Sequence, residues 1–187
     1  MSTIATPRAT LADLAKTEGK AELIGGRIVQ YMATGHRPSR VAARIFRSLD
    51  DFAESTGNGF AYTDSIGYAV AELTSGRESF SPDASFFAGP PPENEMSFVE
   101  GAPAFAVEVR SENDYGPAAE REIAAKRSDY FEAGTIVVWD VDPKANIIRS
   151  YSSGSAEQPE LFAAGQMANA ERAVPGWRID VELMFRP

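Results

Sequence analysis

Cysteine is absent from the chain, and histidine occurs once, at His36. Without cysteine there is no disulfide framework, no thiol nucleophile and no thiolate zinc site. No apolar run approaches the roughly 20 residues of a membrane helix. The opening stretch, Met1 to Thr10, lacks the apolar centre of a secretory signal peptide. A cytoplasmic location without a membrane partner is therefore expected. Basic residues are also in deficit, with 18 Lys and Arg against 27 Asp and Glu and a formal net charge of −9. Phosphate contacts need Lys and Arg, so the deficit argues against tight non-specific DNA binding through bulk electrostatics. It does not argue against an enzyme that collects carboxylates around cations of its own.

What is present is ordinary for a globular protein. The 187 residues are 43% hydrophobic and 24% charged, and that length suits one domain, spanning residues 1–187. A chain of this size buries about 70% of its unfolded surface and needs no staple to fold.

Local signals predict an α/β domain with strands flanked by two main helices. Thr10 and Asp13 have the spacing of a capping box before a short helix that Gly19 stops. Glu22 to Ile24 and Arg27 to Met32, joined by Gly25-Gly26, predict a hairpin. Apolar residues at Val41, Ala42, Ile45, Phe46, Leu49, Phe52 and Ala53 predict an amphipathic helix over Ser39–Ser55, ended by Gly57. Further strands are expected at Phe60–Tyr62, Ile66–Val70, around Phe80–Phe87, at Ala104–Val109 and at Thr135–Val141. The last of these is followed by an antiparallel partner at Ile147–Tyr151. Pro117 to Ala133 reads as a second helix, with Pro in its first turn. The C-terminal third reads as weaker β and loop.

The strand at Ala104–Val109 carries a charge in its middle. An ionised carboxylate in an apolar strand is costly unless it is paired or metal-bound. Alternation places Ala106, Glu108 and Arg110 on one face, so an exposed Glu108–Arg110 pair is one reading and a functional carboxylate is the other. Taken alone, Asp83 is a strand-entry residue after Pro82, Lys126 a solvated lysine, and Glu22 a surface residue. Taken together they fit phosphodiester hydrolysis. Mg²⁺ or Mn²⁺ is held by a few carboxylates and keeps several waters. The metal activates a water, and a lysine offsets developing charge.

Several segments occur in the order typical of the Uma-two family, restriction-endonuclease-like proteins of the PD-(D/E)xK nuclease superfamily. They are Glu22–Val29, Ser81–Phe86, Phe105–Ser111, Lys126–Gly134, Val138–Pro143 and Val174–Val181. The chain resembles that family from about Leu11 to Phe185. The resemblance implies a restriction-endonuclease-like mixed β-sheet flanked by helices. It also implies a metal-dependent DNA endonuclease in which Asp83 and Glu108 bind Mg²⁺ or Mn²⁺. Lys126, carried on a helix, would assist the water or transition state, and Glu22 would be a further ligand or water-positioning group. Cutting both strands of a duplex makes a homodimer plausible. The chain departs from the family at Arg110, which cannot lose a proton to act as a base and is left to bind phosphate or pair with Glu108. It departs also at Gly25-Gly26, at the acidic Ser111–Asp114 loop, and at His36, which reads as a loop residue. The alternative is a catalytically degenerate member of the fold that binds nucleic acid or a protein without cleaving.

Overall fold

The structure, a computed structural model, describes residues 7–186; the remaining ends of the expected 1–187 domain, residues 1–6 and Pro187, lie outside the described residues. The capping box forms as the spacing predicts. Thr10 accepts from the Asp13 N–H, and the Asp13 carboxylate accepts from the Thr10 N–H at 2.9 Å, opening helix α1 (Leu11–Leu14). Loss of such a cap costs about 1 kcal/mol, so Thr10→Ala is expected to lower unfolding free energy by that amount in a urea titration. Next comes the hairpin of β1 (Ala21–Ile24) and β2 (Arg27–Gln30). It turns through Gly25 and Gly26, at φ of 58° and 68°, values that favour glycine.

Helix α2 (His36–Thr56) buries a stripe of Val41, Ile45, Leu49 and Ala53, and Gly57 ends it in the left-handed conformation. It starts three residues before the expected Ser39. Pro38 occupies its first turn, where a missing N–H removes no helical hydrogen bond. His36, expected in a loop, therefore opens the helix.

There follow β3 (Phe60–Thr63), β4 (Tyr68–Ala69), β5 (Ser79–Phe80), β6 (Ala84–Phe87), β7 (Val99–Glu100) and β8 (Phe105–Val109). Helix α3 (Pro117–Glu132) leads to β9 (Val137–Asp142), β10 (Ile147–Ser152), β11 (Ser155–Phe162), β12 (Met167–Asn169), β13 (Arg178–Asp180) and α4 (Val181–Phe185). The principal sheet has the order β11-β10-β9-β8-β6-β3. Its β8/β9 pair is parallel, joined by the α3 crossover, and its other pairs are antiparallel. Among the described residues no helix is long and apolar enough to cross a membrane.

Period-two alternation divides the two central strands between two cores. Phe105, Val107 and Val109 with Val137, Trp139 and Val141 face α2 in the larger core. Ala106 and Val138 face the other way, into a smaller core with Tyr130 of α3, Phe80 and Tyr68. In the large core Trp139 lies 5.0 Å from Phe105 and 5.3 Å from Trp177 by ring centroid, contacts that add to the area buried. Glu108 has the same parity as Ala106, so the sheet turns it toward α3.

Candidate active site

Strands β6 and β8 are antiparallel, which brings the start of one beside the end of the other. Asp83, immediately before β6, donates its N–H to the Val107 carbonyl at 3.0 Å, and its Oδ2 accepts from the Val109 N–H at 2.7 Å. Its side chain is thereby held beside Glu108. Helix α3 returns over the same face and carries Lys126, whose Nζ lies 2.8 Å from Glu108 Oε1 and 3.0 Å from Glu22 Oε1. One turn further along α3, Tyr130 donates its hydroxyl to Glu108 Oε1 at 2.6 Å. Glu108 Oε2 accepts no hydrogen bond among the described residues.

Glu22 sits behind this group. It is fully buried, and its oxygens accept from the Ser81 N–H at 2.9 Å, from Lys126, from the Tyr31 hydroxyl at 2.7 Å and from Arg77. Arg77 reaches onward to Asp129, Nε to Oδ2 at 2.8 Å, so the charges form a buried chain Glu108–Lys126–Glu22–Arg77–Asp129. The four predicted residues are thus gathered in one region, but Glu22 is aimed at cations of the protein and not at solvent.

The electrostatics assign each group a state. Burial would push the Glu22 carboxyl up, but the charges of Lys126 and Arg77 and the Ser81 N–H hold it at about 2. The Glu108 carboxyl is raised from its ordinary value, by burial first and then by the negative charges of Asp83 and Glu22, which together outweigh Lys126 and Lys20. Burial alone would lower Lys126, yet Glu108, Glu22 and Tyr31 drive it above the ordinary lysine range. It is an ammonium donor and not a base. Burial and the adjacent Glu22 push Tyr31 up to about 12, so its hydroxyl keeps the proton that it donates.

Several residues of the site escaped the sequence reading. Lys20 places Nζ 2.6 Å from Asp83 Oδ1 and 2.7 Å from Asp64 Oδ1. Tyr130 is another. Its four-residue spacing from Lys126 was the available signal, because such pairs share a helix face. Nothing in the polar Thr74–Ser79 stretch marks Arg77, whose burial depends on the long-range contact between β1 and β5. Arg110 corrects an expectation. It forms a bidentate pair with Asp140, at 2.6 and 2.7 Å, and bonds Glu120, and it meets neither Glu108 nor open solvent. Asp142 holds the turn after β9 through the Lys144 and Ala145 N–H groups at 3.0 Å each.

Between α2 and the sheet edge a cleft of about 170 Å³ leads to Asp83, lined among others by Thr34, Ser39, Phe46, Asp64 and Val109. Five arginines of α2 and α3 divide. Arg37 bonds Pro143 and Asn146, Arg44 bonds the Met184 and Arg186 carbonyls, and Arg127 stacks on Tyr151; Arg40 and Arg121 are exposed.

A six-stranded mixed sheet with carboxylates from neighbouring strands and a lysine from the crossover helix defines a nuclease-like α/β fold. The chain belongs to the Uma2 family, described as "Putative restriction endonuclease", whose model matches residues 8–182. Its fold is similar to a crystal structure from Anabaena variabilis ATCC 29413, described as "a putative nuclease belonging to DUF820". That likeness has a TM-score of 0.73 at 17% identity and covers 94% of this chain and 97% of the other. No curated protein matches the chain.

Proposed function

We propose that this chain is a Mg²⁺- or Mn²⁺-dependent endonuclease that hydrolyses DNA phosphodiester bonds, working as one restriction-endonuclease-like domain. The observation that carries the proposal is the meeting of Asp83, Glu108 and Lys126 at the open end of the parallel pair, beside the cleft. Family membership supports a nucleic-acid substrate.

The donor set suits a hard divalent cation. Among the described residues no group of three or more His, Cys, Asp or Glu side chains is arranged to hold a metal. Mg²⁺, however, binds through one or two carboxylates and completes its shell with water and substrate phosphate. Asp83 and Glu108 would hold the ion, and the free Oε2 of Glu108 supports this. An ion held there would supply an activated water and relief of charge on the phosphate.

The remaining residues have roles of their own. Lys126, charged and fixed between two carboxylates, stabilises negative charge developing on the phosphoryl oxygens. Tyr130 orients Glu108 through its hydroxyl. Glu22, expected as a further ligand, is assigned a different part: with four donors on its two oxygens, it keeps Lys126 protonated and in place. Two such sites in a homodimer would cut both strands of a duplex.

Incubation with supercoiled, linear and single-stranded DNA tests the proposal. Strand breaks are expected with Mn²⁺ or Mg²⁺ and none with chelator. Equal cutting with and without metal would contradict it. Silence on every substrate, with no metal bound, would favour the degenerate binding module.

A further inference from the structure

The segment ahead of β1 sends a second lysine into the site, onto Asp83. Lys20 is mostly buried, with 16% of its side chain exposed, and its ammonium lies between Asp83 Oδ1 at 2.6 Å and Asp64 Oδ1 at 2.7 Å. The other oxygen of Asp83 is already engaged by the Val109 N–H. The ammonium therefore sits on the carboxylate oxygen that a divalent ion would use. Lys126 bears the same relation to Glu108, but with a difference. Lys126 is also anchored by the fully buried Glu22, whereas the other anchor of Lys20 is Asp64, half exposed at the rim of the cleft. Of the two cations, Lys20 is the one with somewhere to go.

Building on the metal reading above, we propose that Lys20 is a tethered counter-ion that covers Asp83 until a divalent cation displaces it. Lys20 thus sets how much free metal the site needs. Without it, Asp83 would stand as an unpaired carboxylate beside Glu108, at the cost of repulsion between them. With it, the site is assembled and neutralised before metal arrives, and the incoming ion must take Asp83 from an ammonium already in contact. Once displaced, the ammonium stays beside Asp64 on the cleft wall, facing the path of an anionic backbone.

Calorimetric titration of Mn²⁺ into the full-length protein, with no nucleic acid present, separates the possibilities. Removing a positive charge in contact with a ligand oxygen is expected to tighten Mn²⁺ binding by about tenfold or more in Lys20→Met. Lys20→Arg, which keeps the charge, is expected to bind as wild type does. Should Lys20→Met fail to fold by thermal melting, Lys20→Gln, uncharged and still able to donate to Asp83, takes its place with the same expected tightening. If wild type binds Mn²⁺ and the neutral variants bind it no tighter, or more weakly, the counter-ion role is wrong while the metal site stands. If neither wild type nor variants bind Mn²⁺, both the counter-ion role and the metal reading fall.

Discussion

Replacing Glu108 by glutamine is expected to reduce metal-dependent DNA cleavage by about 10²- to 10³-fold, the size of loss when a group acting directly on transition-state charge is removed. It is expected to leave the melting temperature unchanged or slightly raised. The two outcomes have one cause. Glutamine has nearly the same shape, and its carbonyl still accepts from Tyr130 and Lys126. It removes the negative charge that would hold the ion. The fold does not rely on that charge: burial and the neighbouring Asp83 and Glu22 raise the Glu108 carboxyl above its ordinary value, so the ionised form is the one the folded state disfavours. Cleavage rates on supercoiled DNA in Mn²⁺, measured beside a thermal melt, check both halves. A variant that is inactive only because it unfolds at a much lower temperature would show Glu108 to be structural.

Glu22→Ala is expected to behave in the opposite way, losing about 3–5 kcal/mol of stability as one partner of a buried charge network disappears. Arg77, mostly buried, and Lys126 would be left facing each other across an empty site. The pH dependence follows from the sign of the shift. The folded carboxyl lies at about 2, below its ordinary 4.5. The ionised form therefore favours folding, and its contribution is complete above pH 4.5 and drains away as pH falls toward 2. A depression of that size corresponds to about 3 kcal/mol. Urea unfolding of wild type and Glu22→Gln is expected to show a stability gap at neutral pH that narrows steadily below pH 4.5. A gap that stays constant down to pH 2.5 would mean that the Glu22 charge contributes nothing.

Much of this arrangement was legible because its causes are local. The Thr10–Asp13 cap, the Gly25-Gly26 turn, the α2 stripe and the apolar β8 and β9 strands each follow from spacing over a few residues. Alternation along β8 correctly put Glu108 and Ala106 on one face. What it could not supply was the identity of the covering layer. Glu108 and Arg110 share a face, yet Arg110 reaches sideways to Asp140 of the neighbouring strand and to Glu120 of α3 and leaves Glu108 to Lys126 and Tyr130. The edge strand β11 falls in the stretch read only as weaker β and loop, because its residues are mostly exposed and leave no apolar alternation to set its bounds. Helix α4, in a stretch read as β and loop, depends on the Asp180 side chain capping the Glu182 and Leu183 N–H groups.

The same division holds in the site. Asp83, Glu108 and Lys126 stand in segments with a recognisable pattern, whereas Lys20 and Arg77 take their roles from contacts across 63 and 55 residues of sequence. A lysine before a hairpin and an arginine in a polar loop have no local reason to be anything but solvated.

The most direct test of the account is anomalous scattering from crystals soaked in Mn²⁺. One strong peak is expected at about 2.1 Å from a carboxylate oxygen of Asp83 and one of Glu108, with Lys20 moved off Asp83 and Lys126 still in place. A crystal that cleaves DNA when dissolved in Mn²⁺ but shows no manganese at Asp83 and Glu108, or shows it elsewhere, would contradict the assignment.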